Sequence, residues 1–283
     1  FDGVPNVDID PVVRSQDPVY QVALGTGHGC VIKAAADQRG HVFCFGTNDD
    51  RQLGSSAPPG TDLWGPLMLQ DIEAPLVAMK IAAGDRHTCA LTSTGSVYCW
   101  GANGVGQAGQ FDAQDAPVGQ TVYEPTRVPL SHEAVDIALG FRHSCAKLSS
   151  GGMECWGYAA TNALGRWAGG DDLCAGSQSK SVGAVVGLHE ATIQSLSAGM
   201  DTTCALMTDG ELYCWGDNRL GQLGQGDANW CSTNPQPRRV QPNLNPEVIA
   251  RFTRVSAGNA VTCALGFIEG RAEEDDGAAA SIQ

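Results

Sequence analysis

Residues 81–109 read IAAGDRHTCALTSTGSVYCWGANGVGQAG, and the fold of the whole chain follows from this stretch. Its apolar opening, Ile81-Ala82-Ala83, stops at Gly84, as a buried strand does where it meets a turn. A second strand is expected over residues 87–91, a tight turn over 92–95 and a third strand over 97–100. The turn ends in Gly95, which gives a hairpin the backbone freedom it needs. Gly101 and the Asn-Gly stretch after it make another turn, and a long polar loop leads to a short fourth strand over 125–128. Four antiparallel strands of this kind make one blade of a propeller.

The unit recurs. Residue 137 begins IALGFRHSCAKLSSGGMECWG and residue 196 begins LSAGMDTTCALMTDGELYCWGDNRLGQLG. A looser copy, VALGTGHGCVIKAAADQRGHVFCFGTNDDRQLG, begins at Val22, and an incomplete one, VSAGNAVTCALG, at Val255. The anchoring glycines are Gly25, Gly84, Gly140, Gly199 and Gly258, at intervals of 59, 56, 59 and 59 residues. Such a period fits a propeller blade better than a short helical repeat, and almost no segment carries helical periodicity. The expected fold is therefore an all-β propeller of four-stranded antiparallel blades. It has four full repeats (about 21–80, 81–136, 137–195 and 196–254) and a partial fifth (255–266). Residues 1–20 contain Pro5-Asn6-Val7-Asp8-Ile9, which is similar to the fourth-strand segments before other repeats. One blade shared by both ends would close a five-bladed ring; the alternative is an excerpt of a longer chain with an open edge. The acidic tail, 267–283, reads as disordered. Within it Ile268-Glu269-Gly270-Arg271 matches a protease recognition sequence.

Eleven cysteines carry the second signal. Cys89 and Cys99, Cys145 and Cys155, and Cys204 and Cys214 stand ten residues apart, and Cys30 and Cys44 fourteen apart, each pair flanking a hairpin. Cysteines facing each other across neighbouring antiparallel strands lie within reach of a disulfide. Four such bridges imply an oxidising compartment. Zinc is the rival, but its clusters favour close Cys-x₂₋₄-Cys knuckles, which this sequence lacks. Cys174 and Cys231 occupy similar places in the long loops of adjacent repeats and are expected to bridge them; the alternatives are exposed thiols or bonds to another chain. Cys263 matches the first cysteine of a pair whose second member is missing, so it is expected to be unpaired.

The chain has 283 residues and a formal net charge of −14, a balance that repels phosphate backbones and makes nucleic acid an unexpected partner. It lacks a run of eighteen apolar residues, so no membrane span is expected. Phe rather than Met stands first, so the chain is processed or is a piece of something longer.

The pattern G-x-x-H-T-C-A-L…G-x-V-Y-C-W-G-x-N-x-x-G-Q-L-G resembles the regulator of chromosome condensation repeat, best over residues 84–109 and 199–224 and more loosely over about 20–266. The resemblance implies a β-propeller, usually of seven blades, whose cysteine-paired versions look extracellular or bacterial-surface. It implies a rigid disc presenting loops to a protein, with roles as different as nucleotide exchange on a nuclear GTPase, plant photoreception and β-lactamase inhibition. The chain departs from the family in having too few repeats for seven blades and no basic face.

His28, His87 and His143 share one slot, two residues before a strand cysteine; Thr202 and Val261 fill it elsewhere. A structural imidazole bonded to a neighbouring turn is the expectation, with a metal ring as the alternative. Trp100, Trp156 and Trp215, with Phe45 in the first copy, precede glycine and read as packing between blades. Trp64, Trp167 and Trp230 lie in variable loops and are the candidate partner anchors. The acidic pairs Asp49-Asp50 and Asp171-Asp172 lack a calcium-loop pattern and read as solvated charge. The sequence has no G-x-S-x-G, no H-E-x-x-H and no phosphate loop, so neither catalysis nor a cofactor is expected. The expected function is non-catalytic binding of a protein outside the cytosol. A module of a surface assembly or an enzyme inhibitor is the alternative.

Overall fold

The computed structural model describes residues 18–34, 40–55, 67–69, 74–166, 180–188, 192–226, 234–241 and 250–268. Among these the chain is all strand, turn and loop. The first sheet orders β1 (Val19–Leu24), β2 (His28–Ala34) and β3 (Gly40–Gly46), followed by a small hairpin of β4 (Met68–Leu69) and β5 (Ala74–Pro75). Three four-stranded sheets follow. The second is β6 (Lys80–Ala83), β7 (His87–Leu91), β8 (Val97–Ala102) and β9 (Thr121–Arg127). The third is β10 (Ala134–Leu139), β11 (His143–Leu148), β12 (Met153–Gly157) and β13 (Gly183–Ala184). The fourth is β14 (Ile193–Ala198), β15 (Thr202–Met207), β16 (Leu212–Gly216) and β17 (Asn234–Arg239). A two-stranded sheet of β18 (Ala250–Ala257) and β19 (Thr262–Ile268) ends the series.

Each sheet runs antiparallel in chain order, as a blade does. Among the described residues the first blade has only a trace of its outer strand. The Leu67 amide donates to the Val42 carbonyl (2.8 Å), the bond that Val128, Val185 and Val240 make to Val97, Met153 and Leu212 in the following blades. The first strands abut one another in order from β1 through β6, β10 and β14 to β18. β18 and β19 pair only with each other among the described residues. The proposed closing strand, Pro5 to Ile9, lies outside those residues.

The core lies between blades. Trp100, Trp156 and Trp215 are fully buried, and each indole donates to a loop carbonyl of the preceding blade: Gln52 (2.9 Å), Gln107 (3.1 Å) and Ala163 (2.9 Å). Burying one indole stabilises a junction by about 4 kcal/mol. Phe45, with no preceding blade among the described residues, is only half-buried.

The receiving loop explains the Asn-x-x-Gly-Gln-Leu-Gly motif. The Asn48, Asn103 and Asn218 side chains accept from the amides of Leu53, Ala108 and Leu223. The glutamine side chains of Gln52, Gln107 and Gln222 accept from amides two residues upstream. These bonds shape the loops whose Gln52 and Gln107 carbonyls receive the next blade's tryptophan, whereas the third blade has Ala159 and Ala163 in the two slots.

Candidate protein-binding face

The turn between the first and second strands of every blade, and the long connection that leaves the third strand, emerge on the same side of the disc. The pairing of His87 with Gly101 and of His143 with Gly157 fixes this, because the second strand begins where the third ends. At the centre of this face is a cleft of about 340 Å³. Its wall repeats: Leu24-Gly25-Thr26, Ala83-Gly84-Asp85, Leu139-Gly140-Phe141, Ala198-Gly199-Met200 and Ala257-Gly258-Asn259.

The glycines are required by close approach. A Cβ on Gly84 would stand 2.5 Å from the Gly140 carbonyl and 2.2 Å from the His87 ring, and one on Gly140 would stand 2.5 Å from the Gly199 carbonyl. The residues after them are tied backbone to backbone across the junctions. Thr26 donates to Asp85 (3.2 Å), Asp85 to Phe141 (3.1 Å), Phe141 to Met200 (3.0 Å) and Met200 to Gly258 (3.1 Å). The backbone is thus fixed while the side chains differ: Thr26, Asp85, Phe141, Met200 and Asn259. A rigid frame carrying varied, partly exposed side chains is a preorganised recognition surface.

Further out on this face, Arg86 donates to Asp50 (3.0 Å) and lies 3.6 Å from Asp85. Arg219 grips Asp217 with two bonds of 2.9 Å, and Arg142 stacks on Tyr158 at 3.9 Å. Asp50 therefore has a cationic partner; Asp171 and Asp172 lie outside the described residues. Asp201 is held above the usual carboxylate range, chiefly by burial. Met200 and Leu220 add exposed apolar surface. Trp64, Trp167 and Trp230 lie outside the described residues, as do Cys174 and Cys231.

The hairpin cysteines stand directly opposite one another. Disulfides join Cys30 to Cys44, Cys89 to Cys99, Cys145 to Cys155 and Cys204 to Cys214, with Cα separations of 4.1–4.2 Å. All eight cysteines are buried, whereas Cys263 is an exposed free thiol.

The histidines form a relay between blades. His28 Nε2 lies 2.8 Å from Thr88 Oγ1, His87 Nε2 2.9 Å from Ser144 Oγ, and His143 Nε2 2.8 Å from Thr203 Oγ1. The partner is a hydroxyl on the next blade's second strand, not the neighbouring turn expected from the sequence. Each hydroxyl spends its one proton on a loop carbonyl: Gln52 (3.1 Å), Gln107 (2.9 Å) or Ala163 (2.8 Å). The imidazole must therefore be the donor, which fixes the Nε2–H tautomer. The three Nδ1 atoms are buried without a partner among the described residues. Burial pushes His28 and His143 down to about 4 and His87 to about 3. These rings are neutral scaffold elements. Sequence reasoning missed the hydroxyl slot, although Thr88, Ser144, Thr203 and Thr262 each stand just before a cysteine.

Models of the regulator of chromosome condensation (RCC1) repeat match residues 39–91, 94–146 and 209–265, and a second model of the repeat matches 80–107 and 193–222. The ultraviolet-B receptor UVR8 of Arabidopsis thaliana is 31% identical over 209 residues, 74% of this chain and 43% of the receptor. The secretion-regulating guanine nucleotide exchange factor of Bos taurus is 30% identical over 207 residues, 72% of this chain and 42% of the factor. The chain thus spans less than half the length of these relatives. Among solved structures, Prp20p of Saccharomyces cerevisiae, described with its binding properties to Gsp1p and histones, superimposes with a TM-score of 0.70 at 21% identity. That match covers 92% of this chain and 58% of Prp20p. The repeat matches and the blades agree, and the chain belongs to the regulator of chromosome condensation (RCC1) repeat family.

Proposed function

We propose that this chain is a non-catalytic scaffold that binds a protein partner through the face bearing the axial cleft, in an oxidising compartment outside the cytosol. The observation that carries the reading is the axial slot, where one backbone frame presents Thr26, Asp85, Phe141, Met200 and Asn259 side by side. Variation on a fixed frame is what recognition needs, and a rigid frame lowers the ordering cost of binding. The titratable groups beneath it are committed to the scaffold, with the imidazoles held neutral between blades. Four buried disulfides among the described blades support the oxidising compartment. Prp20p, which shares the fold, is described with its binding to Gsp1p and histones, and this fold-level analogy supports a protein as the class of partner. Among the described residues no helix is long and apolar enough to cross a membrane.

Capture from the native extracytosolic milieu tests this. The immobilised chain should retain a partner that Met200→Asp and Leu220→Asp lose and Met79→Asp keeps, because exposed Met79 precedes β6 at the opposite end of the blade. Equal retention by all three variants, or free thiols at the four hairpin pairs in protein from its source, would overturn the reading.

A further inference from the structure

Three buried polar atoms without a hydrogen-bond partner among the described residues gather where the third blade meets the fourth: Arg142 Nε, Thr161 Oγ1 and Asp201 Oδ1. The backbone brings them together. Phe141 donates to Met200 across the junction, and Arg142 and Asp201 are the residues that follow this pair. Thr161 lies in the third blade's loop, two residues before the Ala163 carbonyl that receives Trp215. Asp201 is faced by Arg142, Thr161, Asp217 and Arg219, and it is only 7% exposed. Its acidic neighbour is already committed, since Arg219 grips Asp217 with two bonds.

The junction of the first and second blades shows what fills this place elsewhere. There Arg86, the counterpart of Asp201, reaches back to Asp50, the counterpart of Thr161, at 3.0 Å. Between the second and third blades Arg142 holds the cation's place, but the preceding loop offers Val105 in place of an acid. Arg142 stacks on aromatic rings instead, 3.9 Å from Tyr158 and 5.9 Å from Phe141. Between the third and fourth blades an aspartate and a threonine stand where an arginine and an aspartate form an ion pair. The guanidinium that spans the earlier junction has no equivalent there. A carboxylate oxygen and a guanidinium N–H buried bare in one place each cost an unmade hydrogen bond, so they mark a place for a further group.

We infer that this place is a slot for a primary carboxamide, the side chain of an asparagine or glutamine on the protein partner, an inference that rests on the protein-binding reading of the same face. The count of donors and acceptors selects it. Arg142 Nε–H only donates, the Asp201 carboxylate only accepts and the Thr161 hydroxyl does either. A carboxamide gives its carbonyl to Arg142 and an N–H to Asp201 at once. A carboxylate would satisfy Arg142 but meet Asp201 and Asp217. A cation would satisfy Asp201 but meet Arg142 and Arg219. Water can make the same two bonds, and only a group that reproduces both displaces it without loss. Among the described residues ring stacking rather than an ion pair holds Arg142, so its guanidinium is the wall that turns to admit the amide. Met200, next to Asp201, and Leu220, next to Arg219, are exposed and give the segment carrying the amide an apolar surface to rest on.

The test uses the full chain, labelled with nitrogen-15, and three small probes: acetamide, acetate and methylguanidinium. The Arg142 Nε–H signal should shift saturably with acetamide, with an affinity at least about tenfold above that for either ion, the factor that one misplaced hydrogen bond carries. Asp201→Ala and Asp201→Ser should each abolish the response, and both keep the backbone bond that Asp217 donates to residue 201. The comparison of probes on the unaltered chain stands even where a variant fails to fold. No saturable response to acetamide, tighter binding of either ion, a response that survives both substitutions, or a long-lived water on Arg142 Nε–H that acetamide does not displace would each overturn the inference. Probe binding needs no partner, and partner capture is read at Met200 and Leu220, so the slot and the protein-binding reading fail separately.

Discussion

Lowering the pH from 7.5 to 5 should destabilise this protein steeply, and the histidine relay supplies the reason. Each of His28, His87 and His143 donates its Nε2 proton across a blade junction and buries a bare Nδ1. Protonating Nδ1 would place a cation in the same buried spot, where desolvation outweighs the favourable contacts. The folded values, about 4, 3 and 4, lie below the unfolded value of 6.5. The unfolded state therefore binds more protons between these limits. The relay's contribution is complete above about pH 6.5 and falls as the pH drops toward 4. At pH 5 the loss is about 2 kcal/mol per imidazole. Three of them together reach the scale of a whole domain's stability, about 5–15 kcal/mol. Urea melts at pH 7.5, 6 and 5 measure the slope, with His87→Gln as the control, since glutamine can still donate to Ser144. The variant should lose about a third of the pH dependence. Proton NMR provides a reading that needs no unfolding: the three ring signals should not titrate above pH 5. Stability that is flat from pH 7.5 to 5, or a slope unchanged in His87→Gln, would refute the reasoning.

Gly140→Ala should cost about 2–3 kcal/mol by overpacking, because its Cβ would stand 2.1 Å from the His143 ring; Gly258→Ala, with 3.4 Å of clearance, should cost less than about 0.5 kcal/mol. Paired chemical denaturation of the two variants checks the contrast. Replacing Cys89 and Cys99 together by serine opens a loop with a sequence separation of 10 and should cost about 2–3 kcal/mol in urea melts. Hydrogen exchange in β18 and β19 should be at least about 100-fold faster than in β11 and β12, since Cys263 has no bridge and β19 pairs on one side only among the described residues.

The blade was legible because its signals are local. A glycine after an apolar run, cysteines ten apart around a tight turn and a tryptophan before glycine all act within one hairpin, and the register of Cys89 with Cys99 followed directly. The relay was not legible, because its two ends sit 57–60 residues apart and each looks ordinary alone. His28 makes sense only beside Thr88, one blade on. The first blade carries Gly29 in the hydroxyl slot, where no preceding histidine among the described residues reaches it. The residues after the axial glycines were hidden for a different reason. Thr26, Asp85 and Asn259 read as turn residues, and only the geometry puts them on one wall with Phe141 and Met200. The loop tryptophans Trp64, Trp167 and Trp230 stood out in the sequence and lie outside the described residues.

The repeat divides its positions into two kinds, and that division ties stability to recognition. Slots that face a neighbouring blade are the recurrent ones: glycine, histidine and the folded Asn-Gln loop toward the next blade, hydroxyl and tryptophan toward the one before. Each gives a bond or a fit to one neighbour only, so the stability of the disc accumulates junction by junction, as in other repeat proteins. The axial slot is freed by this arrangement. Its backbone is held by Thr26, Asp85, Phe141 and Met200 amides bonding across the junctions, so its side chains carry no part of the hydrogen bonding that holds the blades together. The fourth junction differs. There Thr202 replaces histidine, the Thr262 hydroxyl has no partner among the described residues, and Cys263 has no bridge. That junction is held instead by the backbone tie from Met200 to Gly258 and by the Ala257 amide, which donates to Ser197 Oγ (2.8 Å).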